Sequence, residues 1–224
     1  MKLTGQRAVV FGGTSGIGAA TVTALEEAGA TVVAASRSSA THPVDLLDRD
    51  GLVRFFDEEG PFDLLVNSAV PAGRVHGPFP ELDLDGFEAT FNKFWGYLYS
   101  VRLGLEHLTE RASIVLVSGF PARKCKAGAS AISTVGNAVE GFVRAIAPEI
   151  APKRINAVSP GIIDTPLFPQ EGEERENFFR EAVRTHAIPR PGQASEVARA
   201  ILFLLQNEFA TGTVVDVDGG ALLS

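Results

Sequence analysis

The chain has 224 residues, of which 45% are hydrophobic and 21% are charged, and this composition is ordinary for one globular domain with a substantial buried core. Its net charge of −7 argues against binding to nucleic acid or to acidic membranes, because both need a positively charged surface. The single cysteine, Cys125, rules out an internal disulfide and a cysteine-rich metal site. We expect a cytoplasmic protein, because the sequence shows no signal segment and no apolar run long enough to span a membrane. We also predict no metal site.

Short β-branched segments alternate with amphipathic segments along the chain. The predicted strands are, in order, RAVVFGG, TVVAAS, HPVDL, FDLLVNSA, SIVLVSG, RINAVSPG and GTVVDVDGG. The predicted helices are GIGAATVTALEEAGA, GLVRFFDEEG, two long helices over residues 84–108 and 131–150, and ASEVARAILFLLQ. Apolar strands separated by helices indicate an α/β fold with a doubly wound parallel sheet. We predict one domain over residues 1–224.

One connection in this pattern is unusually short. Only the seven residues SSATHPV lie between Arg37 and Asp45. A crossover between parallel strands usually needs a dozen or more residues, generally with a helix. We therefore expect a bare loop in place of the second crossover helix.

A glycine-rich loop follows the first predicted strand and opens the first helix. Its glycines let the backbone turn tightly and approach a pyrophosphate, which would rest against the positive end of the helix. This order of strand, loop and helix is typical of a Rossmann dinucleotide-binding domain. The alternative is a glycine turn that binds no ligand. The predicted cofactor contacts in this loop are Gly12, Thr14, Ser15, Gly16, Ile17 and Gly18.

The end of the second strand indicates which nucleotide binds. An NAD site needs a carboxylate there for the ribose 2′-hydroxyl, whereas this chain has Ser36 and Arg37 and no acidic residue before Asp45. A guanidinium suits the 2′-phosphate of NADP, which a carboxylate would repel. Ser15 and Ser38 can add hydroxyl donors. We predict NADP(H) as the cofactor; the alternative is that Arg37 is a solvated loop charge.

Taken together, these motifs resemble those of the short-chain dehydrogenase/reductase family over nearly the whole chain. The matching segments are the glycine loop, VDLLD, LVNSA for the family's NNAG, SIVLVSG, RINAVSPGIIDTP, PRPGQASEVARAILFLL and TGTVVDVDGG. The resemblance implies a single-domain Rossmann fold and a nicotinamide cofactor. It also implies that Asp45 and Leu46 flank the adenine, and that Asn67, Ser68 and Ala69 lie near the ribose. The implied contacts to the nicotinamide and the phosphates are Pro160, Gly161, Ile162, Ile163 and Thr165.

The family's catalytic residues do not carry over onto this sequence. The family uses an asparagine, a serine, a tyrosine as general acid and base, and a lysine that lowers the tyrosine pKa. The resemblance places Ile132 at the tyrosine position and Gly136 at the lysine position. It places Gly119 at the serine position, with Ser118 immediately before it. All of these positions differ from the family's pattern.

Lys93 falls at the asparagine position, with Asn92 beside it if the register slips by one residue. An ammonium can donate a proton or stabilise negative charge, and burial would bring its pKa toward neutrality. The alternative is an ordinary surface lysine. Tyr97 lies four residues later on the same helix face, so the two could act as a pair, or Tyr97 could belong to a subunit interface. We predict Lys93, Ser118 and Arg123 as the catalytic residues.

Two further segments bear on the substrate. The loop GFPARKCKAG carries Arg123, Lys124 and Lys126 after a strand, which would suit an anionic substrate, or it is a solvated turn. Residues 166–190 resemble the family's substrate lid, in which Phe178 and Phe179 could face a substrate or could simply pack on the domain.

Two functions remain open at this point. The first is an NADP(H)-dependent oxidoreductase that acts on a small carbonyl or alcohol substrate, with Lys93 in place of the usual proton donor. The second is an NADP(H)-binding protein without net redox activity, such as a lyase, an isomerase, a cyclase or a cofactor sensor. The resemblance and the segment FWGYLY also predict a homodimer or homotetramer built on the two long helices.

Overall fold

The computed structural model describes residues 2–223. Its centre is a six-stranded parallel sheet made of β1 (Arg7–Phe11), β2 (Thr31–Ala35), β3 (Phe62–Asn67), β4 (Leu108–Val117), β5 (Arg154–Pro160) and β8 (Val214–Val217). The strand order is β2-β1-β3-β4-β5-β8. Two short strands, β6 (Ile163–Asp164) and β7 (Gly192–Gln193), form a separate parallel pair. The helices are α1 (Gly16–Glu27), α2 (Arg49–Glu59), α3 (Leu84–Gly104), α4 (Ser130–Ile146), α5 (Gly172–Ala182) and α6 (Ala194–Gln206).

Helices cover both faces of the sheet, as the predicted doubly wound α/β fold requires. Successive residues of β1 point to opposite faces: Val9 joins an apolar cluster that includes Val101 of α3 and Val139 of α4. Its neighbour Val10 joins the opposite cluster, which includes Ile201 of α6. The prediction of a Rossmann-type parallel sheet is confirmed.

The strand register brings the ends of the central strands to one edge of the sheet. Phe11, the last residue of β1, is paired with Ala35 of β2 and with Asn67 of β3. Asn67 is in turn paired with Leu116 of β4. The loops that follow these four strands therefore start at the same level, where open parallel sheets bind their ligands.

The short connection after β2 contains no helix in residues 38–44, as the sequence predicts. The predicted strand HPVDL is wrong, because that segment contributes only a single bridge between Ser36 and Pro43. Pro43 has no N–H to donate to a ladder, and the chain leaves the sheet edge after the Val44 N–H donates to the Ser36 carbonyl at 3.0 Å.

Both long helices end earlier than predicted. Helix α3 stops at Gly104, where a side chain would collide with the Phe56 ring at 2.8 Å, and a 3₁₀ turn leads into β4. Helix α4 stops at Ile146, just before Pro148, which cannot donate the next helical hydrogen bond. No helix within residues 2–223 is long and apolar enough to cross a membrane.

Candidate functional site

A cleft of about 650 Å³ opens at the carboxyl ends of β1, β2 and β3. Fourteen of the nineteen predicted cofactor contacts line it: Gly12, Thr14, Ser15, Gly16, Ile17, Gly18, Ser36, Arg37, Ser38, Asp45, Leu46, Ser68, Ala69 and Thr165. Residues separated by as many as 153 positions in the sequence thus meet in one groove, because the strand register aligns the loops that carry them.

The other five predicted contacts do not line this cleft. Asn67 is fully buried beneath it, where its side-chain amide donates to Ser100 Oγ at 2.9 Å and its Oδ1 accepts from the Ala69 N–H at 3.1 Å. Asn67 therefore supports the backbone of the loop after β3 from within the core and does not line the cleft. The remaining four residues, Pro160, Gly161, Ile162 and Ile163, lie at the end of β5 and the start of β6, outside the lining of the cleft.

The glycine loop is shaped for a close backbone approach. A Cβ at Gly18 would lie 2.0 Å from the Gly12 carbonyl oxygen, and a Cβ at Gly12, whose φ is +79°, would lie 2.8 Å from the Ala69 nitrogen. Helix α1 begins at Gly16, and the Ser15 side chain makes no capping hydrogen bond to it. The helix N–H groups therefore remain free to bind a pyrophosphate.

The far end of the cleft is polar and carries a positive charge. The Ser36 hydroxyl lies 2.9 Å from Thr14 Oγ1 and 3.3 Å from Ser38 Oγ. Within residues 2–223 Arg37 forms no ion pair. The residues present therefore fit a cofactor with a 2′-phosphate on its adenosine ribose, and Arg37 is free to pair with that 2′-phosphate.

A second, smaller pocket of about 40 Å³ lies at the end of β4. Its lining contains Lys93, Gly119, Ile132 and Gly136, which are the four positions compared with the family's catalytic residues above. Lys93 also lines the large cleft, as does Asn92. Lys93 therefore stands where the two spaces adjoin.

The Lys93 side chain is partly buried between the cleft and the small pocket. Its Nζ donates to the Ser118 carbonyl oxygen at 2.8 Å and lies 5.5 Å from the centre of the Tyr97 ring. Burial, and then the nearby Arg74 guanidinium, lower the pKa of Lys93 to about 7. Burial raises the pKa of Tyr97, whose hydroxyl donates to the Val117 carbonyl at 3.2 Å. The Tyr97 ring thus lies near the Lys93 ammonium, while the Tyr97 hydroxyl is hydrogen-bonded to β4.

Ser118 and Arg123, the other two predicted catalytic residues, both contact a buried carboxylate that sequence reasoning missed. Glu140 is 2% exposed and accepts a hydrogen bond from Ser118 Oγ at 3.1 Å. Its other oxygen lies 3.3 Å from Arg123 Nε. Arg123 also binds Asp216, and that hydrogen bond is the main cause of its raised pKa. The charge of Arg123 is therefore balanced by two carboxylates.

Arg74, which the sequence reasoning also missed, lines the small pocket in the loop after β3. Burial lowers its pKa. The only signal for it in the sequence is a basic residue shortly after the LVNSA motif, in a loop that starts at the ligand-binding edge of the sheet.

Comparison with known proteins identifies the family. Residues 12–221 match a family model described as enoyl-(acyl carrier protein) reductase. The chain belongs to the short-chain dehydrogenase/reductase family of oxidoreductases. It is 31% identical to an L-xylulose reductase of Mesocricetus auratus, over 100% of this chain and 99% of the relative. It is also 31% identical to carbonyl reductase (NADPH) 2 of Sus scrofa, again over 100% and 99%. A crystal structure of a small-chain dehydrogenase in complex with NADPH matches with a TM-score of 0.90 at 34% identity, covering 98% and 99% of the two chains.

In this short-chain dehydrogenase/reductase, the turn after β4 packs closely on α4. A Cβ at Gly136 would lie only 2.9 Å from the Ala122 Cβ. The Asn137 side-chain amide donates to the carbonyl of Ala122 and, at 2.9 Å, to that of Ser133. The turn therefore fills the space that a long side chain at position 136 would need.

The segment predicted as a lid, residues 166–190, contains α5. The rings of Phe168, Phe178 and Phe179 pack together with centre distances of 5.1–5.5 Å, and Phe179 is buried. Leu167, which is 43% exposed, lines the cleft instead. In this short-chain dehydrogenase/reductase, Leu167 and its neighbour Pro166 are thus apolar residues of the segment that are placed to contact a ligand.

Proposed function

We propose that the protein is an NADP(H)-dependent oxidoreductase that acts on a small carbonyl or alcohol substrate and uses Lys93 as its proton donor and acceptor. The observation that carries this proposal is the position of Lys93, which lines both the dinucleotide cleft and the small pocket. A substrate that lies between these two spaces would have the Lys93 ammonium beside its reacting carbon.

The preference for NADP(H) rests on the end of β2. When bound, NADPH would supply the hydride for carbonyl reduction. The glycine loop and the N-terminus of α1 would hold the pyrophosphate, while Arg37, Ser36 and Ser38 would bind the ribose phosphate. One similar protein is named carbonyl reductase (NADPH) 2, and another is a small-chain dehydrogenase in complex with NADPH; both support this assignment.

Lys93 can give and take a proton near neutral pH because its pKa is lowered to about 7. A proton donor is most effective when its pKa is close to the working pH. The Ser118 carbonyl oxygen accepts a hydrogen bond from the Lys93 Nζ at 2.8 Å, and this bond fixes the direction of the lysine side chain. The other N–H groups of Lys93 remain available to donate to the oxygen of a substrate.

This arrangement would replace the family's serine, tyrosine and lysine. The resemblance places Gly119, Ile132 and Gly136 at those positions; all three line the small pocket and carry no ionisable group. The same replacements support a second candidate function, a redox-neutral reaction or cofactor sensing. They remove the family's catalytic groups together, so that Lys93 and Arg74 are the titratable groups that remain in the pocket lining.

Oxidation of NADPH by a panel of ketones, enones and imines distinguishes the two functions. We expect wild-type protein to oxidise NADPH faster than the rate without enzyme for at least one compound, and Lys93→Met to lose most of that activity. If no compound is reduced although NADPH binds tightly, as measured by fluorescence titration, the redox-neutral function becomes the better account.

A further inference from the structure

Two positively charged side chains, Arg74 and Lys93, face the small pocket at the end of β4. Neither of them forms an ion pair with a carboxylate in residues 2–223. Among the residues that the structure describes, no aspartate or glutamate lines the pocket, and the rest of its surface is formed by apolar residues, glycines, Thr90 and Ser118.

The two hydroxyl groups of the pocket cannot balance this charge. Thr90 Oγ1 donates to the Gly86 carbonyl at 2.8 Å and accepts from the Val75 N–H at 3.2 Å. Ser118 Oγ donates to Glu140 at 3.1 Å, and Lys93 binds the Ser118 carbonyl oxygen rather than its hydroxyl. Glu140 is itself bound to Arg123, so its charge is already compensated.

Two cations that share a small, mostly apolar pocket are costly, because an unpaired buried charge is poorly solvated and like charges repel. The lowered pKa values of both side chains are consistent with this cost, since burial is the first cause for each and Arg74 is the second cause for Lys93. An anion in the pocket would remove both penalties.

We propose that this pocket binds a carboxylate group of the substrate, with Arg74 as the residue that selects for it. A guanidinium presents paired N–H groups that match the two oxygens of a carboxylate, and the volume of about 40 Å³ suits so small a group. A phosphate would place further oxygens against the apolar walls formed by Val70, Ile132 and Val135.

The substrate class follows from the position of Lys93, and this step rests on the proposed function. Lys93 lines both the pocket and the cleft, so a carboxylate bound in the pocket lies within a few bonds of a carbonyl group at the cleft. The preferred substrates are therefore 2-oxo or 3-oxo acids, or the corresponding hydroxy acids in the reverse direction.

Calorimetric titration of the NADPH-loaded protein with oxamate, an unreactive mimic of a 2-oxo acid, tests the proposal without relying on turnover. Oxamide has the same shape but no charge. We expect oxamate to bind about tenfold or more tightly than oxamide, and Arg74→Gln to reduce that preference, since a hydrogen bond to a charged group is lost while Lys93 remains. The matched control, Arg54→Gln, removes an exposed arginine on α2 and should bind oxamate like wild type.

Proton uptake gives a second measurement in the same titrations. At roughly pH 8 Lys93 is mostly neutral, and a bound anion favours its charged form, so oxamate binding should take up protons. This uptake should vanish in Lys93→Met and decrease at roughly pH 6, where the lysine is already protonated. Titrations in buffers with different ionisation enthalpies measure it.

The proposal is overturned if oxamate and oxamide bind equally, or if Arg74→Gln binds oxamate as tightly as wild type. Reduction of neutral ketones by a protein that does not bind oxamate would overturn the carboxylate site and leave the oxidoreductase function standing. Binding of oxamate through Arg74, without NADPH oxidation by any 2-oxo or 3-oxo acid, would support the carboxylate site and count against the oxidoreductase function.

Discussion

Replacement of Lys93 with methionine tests the proposed chemistry while it keeps the length and the apolar stem of the side chain. The variant lacks the proton donor, so we expect the rate of carbonyl reduction to fall by about 10²–10⁴-fold. The affinity for NADPH should change little, because the predicted contacts to the pyrophosphate and the 2′-phosphate lie in the glycine loop and at the end of β2. Lys93→Arg should rescue only part of the rate, since a guanidinium keeps the charge but scarcely releases a proton.

The stability of Lys93→Met separates loss of chemistry from loss of folding. The unfolded chain holds the lysine proton up to the ordinary pKa of 10.5, whereas the folded chain releases it at about 7. Lys93 therefore lowers stability below pH 7, and the penalty disappears as the pH rises from about 7 to 10.5. Its upper bound is about 5 kcal/mol at 1.36 kcal/mol per pH unit, and partial exposure of the residue reduces it. We expect Lys93→Met to be at least as stable as wild type at neutral pH.

The assay is the initial rate of NADPH oxidation with the best carbonyl substrate, together with thermal unfolding and NADPH titration of each variant. Lys153→Met is the matched control, because Lys153 precedes β5 at the opposite edge of the sheet from the cleft. A Lys93→Met variant that turns over the substrate as fast as wild type would refute a role of Lys93 in proton transfer.

Three further predictions concern the cofactor, the turn after β4 and the assembly. Arg37→Ala should weaken NADPH binding by about 1.5–3 kcal/mol and leave NADH binding nearly unchanged; equal binding of both cofactors by wild type in a titration would show that the prediction of NADP(H) is wrong. Gly136→Lys should lower the melting temperature without restoring activity to an Ile132→Tyr background, because the new side chain collides with Ala122; an active, equally stable double variant would refute this packing argument. Light scattering should report a homodimer or homotetramer built on α3 and α4, where Trp95 is 42% exposed, whereas a monomer at micromolar concentration would contradict it.

The fold and the cleft could be predicted because their signals are local. The loop from Gly12 to Gly18 can be recognised within a dozen residues, because its glycines follow a strand and open a helix; a Cβ at Gly18 would lie 2.0 Å from the Gly12 carbonyl oxygen of the same loop. The absence of the crossover helix could be predicted because too few residues lie between Arg37 and Asp45 to form one. The parallel sheet then brings these loops together without further information.

The small pocket could be predicted only in part, because its chemistry depends on contacts between distant residues. Arg123 was expected to face a substrate, yet it binds Asp216, which lies 93 positions later in the sequence. Arg74 carries no motif, and its importance comes only from its place beside Lys93. Helix ends were also poorly predicted, because the end of α3 depends on the packing of Gly104 against Phe56.

The most direct test of the account is the pH dependence of kcat/KM for carbonyl reduction by wild type and Lys93→Met. If Lys93 donates the proton, kcat/KM of the wild type should fall as the pH rises through about 7, where the lysine loses its charge. The oxidation of the alcohol should show the opposite trend, and Lys93→Met should be slow and lack this inflection in both directions. An inflection near pH 7 that persists in Lys93→Met, or a wild-type profile that is flat across neutral pH, would contradict the assignment of Lys93 as the proton donor.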